Sequence, residues 1–62
     1  MQLVYRDKTW ELEGKMPLSK AIKKVGLQPI SVLAMRDGKL LTNDVLVGGD
    51  DVIKLIAVVS GG

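Results

Sequence analysis

Residues 52–59 read VIKLIAVV, an apolar and largely β-branched run that contains one lysine. An edge strand would alternate apolar with polar side chains, whereas this run predicts a strand that is buried on both sides for much of its length. Such a strand needs a neighbour on each side, and we therefore expect it in the middle of a sheet. Ser60, Gly61 and Gly62 follow it, and glycine adds no packing surface that would hold a strand.

The composition is that of one small domain and argues against several kinds of chemistry. A chain of 62 residues buries only about 60% of the surface that its unfolded form exposes. The sequence has no cysteine and no histidine, so disulfides, thiolate or imidazole metal sites and Ser-His-Asp triads are not expected. We predict no metal site and no intrinsic catalytic residue, and hence a protein that is not an enzyme.

The same features bear on location and on two classes of partner. No apolar stretch reaches the roughly 18 residues that cross a bilayer, and the N-terminus lacks the basic-then-apolar order of a signal peptide. We therefore expect a cytoplasmic protein with no membrane partner. The net charge of +2 is too small to indicate nucleic acid. The two aromatic residues, Tyr5 and Trp10, are expected to face the core and not to stack on bases, so no nucleic-acid partner is expected.

The residues before the final strand predict two hairpins. Residues 9–13 (TWELE) alternate strictly between polar and apolar side chains, which is typical of a half-buried antiparallel strand that pairs with residues 2–6. The pair Asp37-Gly38 is a strong signal for the turn of a second, shorter hairpin.

One helix is predicted between the hairpins. It begins at Pro17, where a missing N–H costs nothing, and ends at Gly26, which suits the left-handed position after a helix. Between them one apolar stripe follows the spacing i, i+3, i+4 and i+7, formed by Leu18, Ala21, Ile22 and Val25. The order of elements is then hairpin, helix, short hairpin and long final strand.

This order predicts an α+β fold of the β-grasp (ubiquitin-like) type. The final strand would lie in the centre and pair in parallel with the first strand through a right-handed crossover. We expect a mixed sheet of about four to five strands with the helix packed on one face. The β-grasp domain would span residues 1–59, and residues 60–62 would form a flexible C-terminal tail.

A single helix leaves the other face of the sheet open. If Lys54 points away from the helix, alternation places Ile56 and Val58 beside it. On the third strand we expect Leu33 and Met35 inside, which puts the residues that alternate with them outside. The predicted partner-binding patch consists of Val4, Ala34, Arg36, Lys54, Ile56 and Val58. Monomers rarely expose such a patch without using it, although scattered surface aliphatics are ordinary.

Several short segments occur in an order found in one known family. They are the first hairpin, the Pro17-Leu18 helix start, the Val25-Gly26-Leu27 helix end, the strand and turn over residues 32–38, the GDDV of residues 49–52 and the VSGG of residues 59–62. In this order the sequence resembles the ubiquitin-like sulfur carriers that serve thiamine, molybdopterin and thiolated-tRNA synthesis. The length is similar to that of the compact thiamine-type carriers. The serine at position 60 is similar to the residue that some tRNA-thiolation carriers have there. The resemblance therefore leaves open which pathway would receive the sulfur.

The resemblance implies a role for the end of the chain. An E1-like adenylating enzyme would use ATP to adenylate the Gly62 carboxylate, and sulfur would then displace AMP to give a thiocarboxylate. Gly61 and Ser60 would be recognised as the tail enters the partner, while Ile56 and Val58 would dock. The other implied partners are a sulfur donor of the cysteine desulfurase or rhodanese type and a sulfur-accepting synthase or transferase. No bound cofactor is implied, since ATP is used by the partner.

Two alternatives stay open at this point. In the first, the chain is a ubiquitin-like protein modifier that is conjugated through Gly62 to lysines of target proteins. In the second, it is a non-catalytic β-grasp interaction module whose tail is inert, so that removal of the terminal glycines would leave its function intact.

Overall fold

The computed structural model describes residues 1–58, which form a five-stranded sheet, a two-stranded sheet and one α-helix. The elements in chain order are β1 (Gln2–Tyr5), β2 (Lys8–Glu11), β3 (Met16–Pro17), α1 (Leu18–Lys24), a 3₁₀ turn (Pro29–Ser31), β4 (Val32–Arg36), β5 (Lys39–Leu41), β6 (Leu46–Val47) and β7 (Val52–Ala57).

The large sheet has the strand order β2-β1-β7-β4-β5. Strand β7 lies in the centre, parallel to β1 and antiparallel to β4, while β1–β2 and β4–β5 are the two hairpins. The predicted central position of the last strand and its parallel pairing with the first are thus confirmed. This mixed sheet with one helix is the β-grasp fold.

The small sheet pairs β3 with β6 and was not predicted. Its strands contain two residues each. They are too short to show the alternation of apolar and polar side chains by which a strand is recognised in a sequence. The pairing holds the chain before α1 against the chain before β7. Nearby, a Cβ added to Gly48 would lie 2.8 Å from the Gly14 carbonyl oxygen, so these two loops approach each other at backbone distance.

The core lies between α1 and one face of the large sheet. Ala21 and Ile22 of the helix are fully buried, as are Leu3 of β1 and Ile53 of β7. Trp10 is half-buried and packs against this core, together with the other partly buried apolar side chains. Among residues 1–58, no helix is long and apolar enough to cross a membrane.

The end of α1 follows the predicted capping geometry. Gly26 has a φ of 85°, a left-handed conformation that glycine adopts without the steric penalty of a Cβ. The Gly26 amide donates to the Lys23 carbonyl at 3.0 Å, and the Leu27 amide donates to the Ile22 carbonyl at 3.2 Å. These bonds satisfy carbonyls that the end of a helix otherwise leaves unpaired.

Candidate docking face

The face of the large sheet opposite α1 is an exposed, mainly apolar surface. Residues directly opposite each other on paired strands share a face, and the register pairs Lys54 with Val4 on one side and Met35 on the other, Ile56 with Leu33, and Met35 with Leu40. We call this surface the open face and define it by Val4, Leu33, Met35, Leu40, Val52, Lys54, Ile56 and Val58.

Four of the predicted docking residues lie on the open face. Ile56 is 47% exposed and Val58 is 41% exposed, Lys54 is exposed, and Val4 is half-buried. The prediction of which side chains of β7 face away from α1, made by alternation from Lys54, is therefore correct. The role of these four residues in docking stays a prediction.

Ala34 does not lie on the open face, and its predicted placement there is wrong. It is only 3% exposed and belongs to the core. The reason is the register of β4 against β7, in which Ala34 lies opposite Leu55 and Val32 lies opposite Ala57, both on the helix side. Leu33 takes the outer position instead and is 47% exposed. The larger side chain thus points outward, contrary to its expected position in the core.

Arg36 was also assigned to the wrong side of β4. By alternation it lies on the same face as Ala34, at the end of the strand. Its Nη1 donates to Asp51 Oδ2 at 3.1 Å, and the Gly48 amide donates to the same oxygen at 3.0 Å. The guanidinium is therefore engaged in holding the β6–β7 loop and does not border the open face.

The bonds to Asp51 also alter its acidity. The hydrogen bond from the Gly48 amide is the main cause that lowers the pKa of the Asp51 carboxyl below its ordinary value, and Arg36 lowers it further. Partial removal from water acts in the opposite direction. The charged carboxylate is thus the form that fits this loop.

A shallow groove runs across the open face. It has a volume of about 480 Å³ and is lined by Met35, Asp37, Gly38, Val52, Lys54 and Ile56. Met35, Val52 and Ile56 supply its apolar lining. Its charged groups are the Lys54 ammonium on the central strand and the Asp37 carboxylate in the β4–β5 turn. The groove can hold an apolar side chain of another protein, and its lysine can meet a carboxylate.

Four residues of the open face were not among the predicted docking residues: Leu33, Met35, Leu40 and Val52. Once Lys54 fixes the phase of β7, Val52 follows by alternation. Leu33 and Met35 required the register between β4 and β7, which the sequence does not state. Leu40 follows from Met35 across the Asp37-Gly38 hairpin turn.

In chain order, the central strand of the open face precedes the predicted reactive end of the chain. Strand β7 ends at Ala57, and the amide of Val58 donates to the Ser31 carbonyl at 2.9 Å. Ser60, Gly61 and Gly62, to which the recognition and adenylation roles were assigned, lie outside the described residues. Among residues 1–58, no cluster of three or more potential metal ligands occurs.

Comparison with known proteins identifies a relative that matches most of the chain. No protein-family model matches the chain. The chain is similar to the sulfur carrier protein TtuB of Thermus thermophilus, with 35% identity over 52 residues, a match that covers 84% of this chain and 80% of the relative. The similarity therefore extends over most of both proteins.

Proposed function

The chain belongs to the ubiquitin-like sulfur carrier family, and we propose that it carries sulfur as a thiocarboxylate on Gly62. The observation that supports this proposal most directly is the match over most of the length of a named sulfur carrier. The β-grasp fold agrees with it, because β7 leads from the open face to the residues that precede Gly62.

The proposed chemistry needs an activating partner. A free carboxylate is a poor electrophile, and adenylation by an E1-like enzyme with ATP would convert it to an acyl adenylate with AMP as a good leaving group. A sulfide nucleophile would then attack the carbonyl carbon as the bond to AMP breaks, which leaves the sulfur on that carbon. If the donor supplies the sulfur as a persulfide, a second thiol must cleave the resulting S–S bond to release the thiocarboxylate. The sequence has no cysteine and no histidine, so the proposal assigns the activating groups and the ATP site to the partner.

The open face is the proposed docking surface for that enzyme. Ile56, Val58 and Val4 supply apolar area that contact with a partner would remove from water, which is favourable by about 25 cal/mol per Å². Leu33 takes the place that the sequence had assigned to Ala34. In this arrangement Ser60 and Gly61 pass from the docked domain into the channel of the enzyme, where glycine fits because it lacks a Cβ.

The remaining partners follow from the direction of sulfur flow. A cysteine desulfurase or a rhodanese-type protein would supply the sulfur, and a synthase or transferase would accept it. The acceptor pathways that fit this family are thiamine-thiazole formation, tRNA thiolation and molybdopterin synthesis.

Intact-mass measurement tests the proposal. The chain is incubated with ATP, an E1-like enzyme and a sulfur donor, and a variant without Gly62 is the matched control. We expect the mass increase of one oxygen replaced by sulfur, confined to the C-terminal peptide and absent from the control. A branched peptide that joins Gly62 to a lysine would identify a protein modifier. An unchanged mass with every E1-like enzyme of the organism would overturn the proposal.

A further inference from the structure

Lys54 differs from the other residues that define the open face because its side chain is charged. Of the described residues of the three central strands β1, β7 and β4, it is the one charged residue on that side of the sheet. Its direct neighbours across the strands are Val4 and Met35, and its neighbour two positions along β7 is Ile56. The ammonium therefore stands within a mainly apolar surface, on which Gln2 of β1, opposite Val52, is an uncharged polar residue.

Within residues 1–58, no carboxylate pairs with this lysine. The ion pair that the structure forms within 4.0 Å is that of Arg36 with Asp51. Asp37 lines the same groove as Lys54 but makes no ion pair with it. Among the described residues, no carboxylate neutralises the Lys54 ammonium, and this exposed group is therefore solvated by water.

Covering this face with a partner removes water from the ammonium. Burial of an unpaired charge is costly, and the cost is offset when a carboxylate of the partner pairs with it. A wholly apolar partner would therefore bind this face poorly. A second copy of the chain, docked face to face about a two-fold axis, would bring the two Lys54 side chains toward each other, which like charges oppose.

We propose that Lys54 is a specificity-determining residue, which selects a partner whose contact surface carries a carboxylate surrounded by apolar side chains. The occupant is the E1-like adenylating enzyme, so this inference rests on the proposed function. The carboxylate pairs with Lys54 in the groove, and the surrounding aliphatic side chains cover the open face. Apolar contact then supplies affinity, while the ion pair distinguishes this enzyme from other apolar surfaces.

The test measures the dissociation constant between the E1-like enzyme of the same organism and four full-length chains. These are the wild type, Lys54→Met, Lys54→Glu and the charge-matched control Lys20→Glu, whose exposed site lies on α1 at the opposite side of the sheet. We expect about tenfold weaker binding for Lys54→Met and about 100-fold for Lys54→Glu. The control should bind within about twofold of the wild type. Added salt should weaken wild-type binding more than that of Lys54→Met.

The outcomes separate this inference from the function on which it rests. ATP–pyrophosphate exchange is measured for the wild type with the same enzyme, and its absence would overturn the proposed function. Exchange together with equal or tighter binding of Lys54→Met would overturn the inference alone. Sedimentation of the wild type tests the alternative in which a second copy of the chain occupies the open face. A dimer that Ile56→Asp abolishes and Lys54→Glu preserves would show that a second copy occupies the face, and this too would overturn the inference.

Discussion

The Arg36 guanidinium and the Asp51 carboxylate lie 3.1 Å apart and join the end of β4 to the loop before β7. Asp51 also accepts a hydrogen bond from the Gly48 amide at 3.0 Å. One carboxylate therefore fixes both the loop backbone and a side chain from a neighbouring strand. Surface ion pairs alone contribute little to stability, but here the charge also satisfies a backbone donor.

This arrangement predicts a pH-dependent contribution from Asp51. Its pKa in the folded protein is below its ordinary value of 3.8, so the folded state favours the charged form. The stabilisation is present above the ordinary value and is lost as the pH falls through the lower, folded value. We expect Asp51→Asn to be less stable than the wild type near neutral pH, and the difference to shrink below about pH 4.

Urea unfolding of both proteins across this pH range measures the difference. The pKa of Asp44 is also lowered, chiefly by its hydrogen bond with Thr42, but this group is common to both proteins and its effect cancels. A difference in unfolding free energy that stays constant down to pH 2 would contradict the assigned role of the Asp51 charge.

Ile53 and Ile56 provide a matched pair for the two faces of β7. Ile53 is fully buried against α1, whereas Ile56 lies half-exposed on the open face. We expect Ile53→Ala to lower the free energy of unfolding by about 2–5 kcal/mol because it leaves a cavity. Ile56→Ala should cost less than about 1 kcal/mol. Chemical denaturation measures both, and equal losses would show that the two faces are misassigned.

Ala34 offers a direct test of the corrected face of β4. It is buried opposite Leu55 beneath the helix, so Ala34→Leu should overpack the core and cost about 1–3 kcal/mol. Leu33→Ala on the open face is the control, with a loss of less than about 1 kcal/mol. Thermal melts of the two variants distinguish the arrangements, because an exposed position 34 would tolerate leucine without loss.

Gly48 is predicted to tolerate no side chain. A Cβ there would lie 2.8 Å from the Gly14 carbonyl oxygen and 3.0 Å from Lys15 Cα, and backbone atoms cannot move aside as a flexible side chain can. We expect Gly48→Ala to cost about 1–3 kcal/mol. Gly49 has a positive φ and open space around it, and asparagine tolerates such a φ. Gly49→Asn is therefore the control and should melt closer to the wild type.

The sequence was sufficient for the topology of the large sheet because its last strand is too apolar to lie at an edge. The run over residues 52–57 is too apolar for an edge strand, and its lysine fixes which face is exposed. In β4 the residues Val32, Leu33, Ala34 and Met35 are all apolar, so no polar side chain marks the outer face. The register with β7 decides between the two faces, and this register is set by tertiary contacts.

The candidate site, like the faces of the strands, could be predicted from the sequence only in part. The open-face positions of Lys54, Ile56 and Val58 follow from alternation along one strand. The engagement of Arg36 with Asp51 could not be inferred, because these residues are distant in sequence and meet only when β4 and the β6–β7 loop are in place. The sequence around an arginine at the end of a strand is the same whether the arginine binds a partner protein or a neighbouring loop, so it does not distinguish the two.

The central position of β7 makes the integrity of the large sheet depend on residues 52–57. Strands β1 and β4 do not pair with each other and are joined in the sheet by β7, and Leu3 of β1 pairs with Ile53 of β7. A chain truncated before Val52 would leave the hairpins β1–β2 and β4–β5 without the strand that joins them, and isolated hairpins are barely stable in water. We therefore expect such a truncated chain to be unfolded, accessible to proteases and unable to compete with the full sequence for its partners.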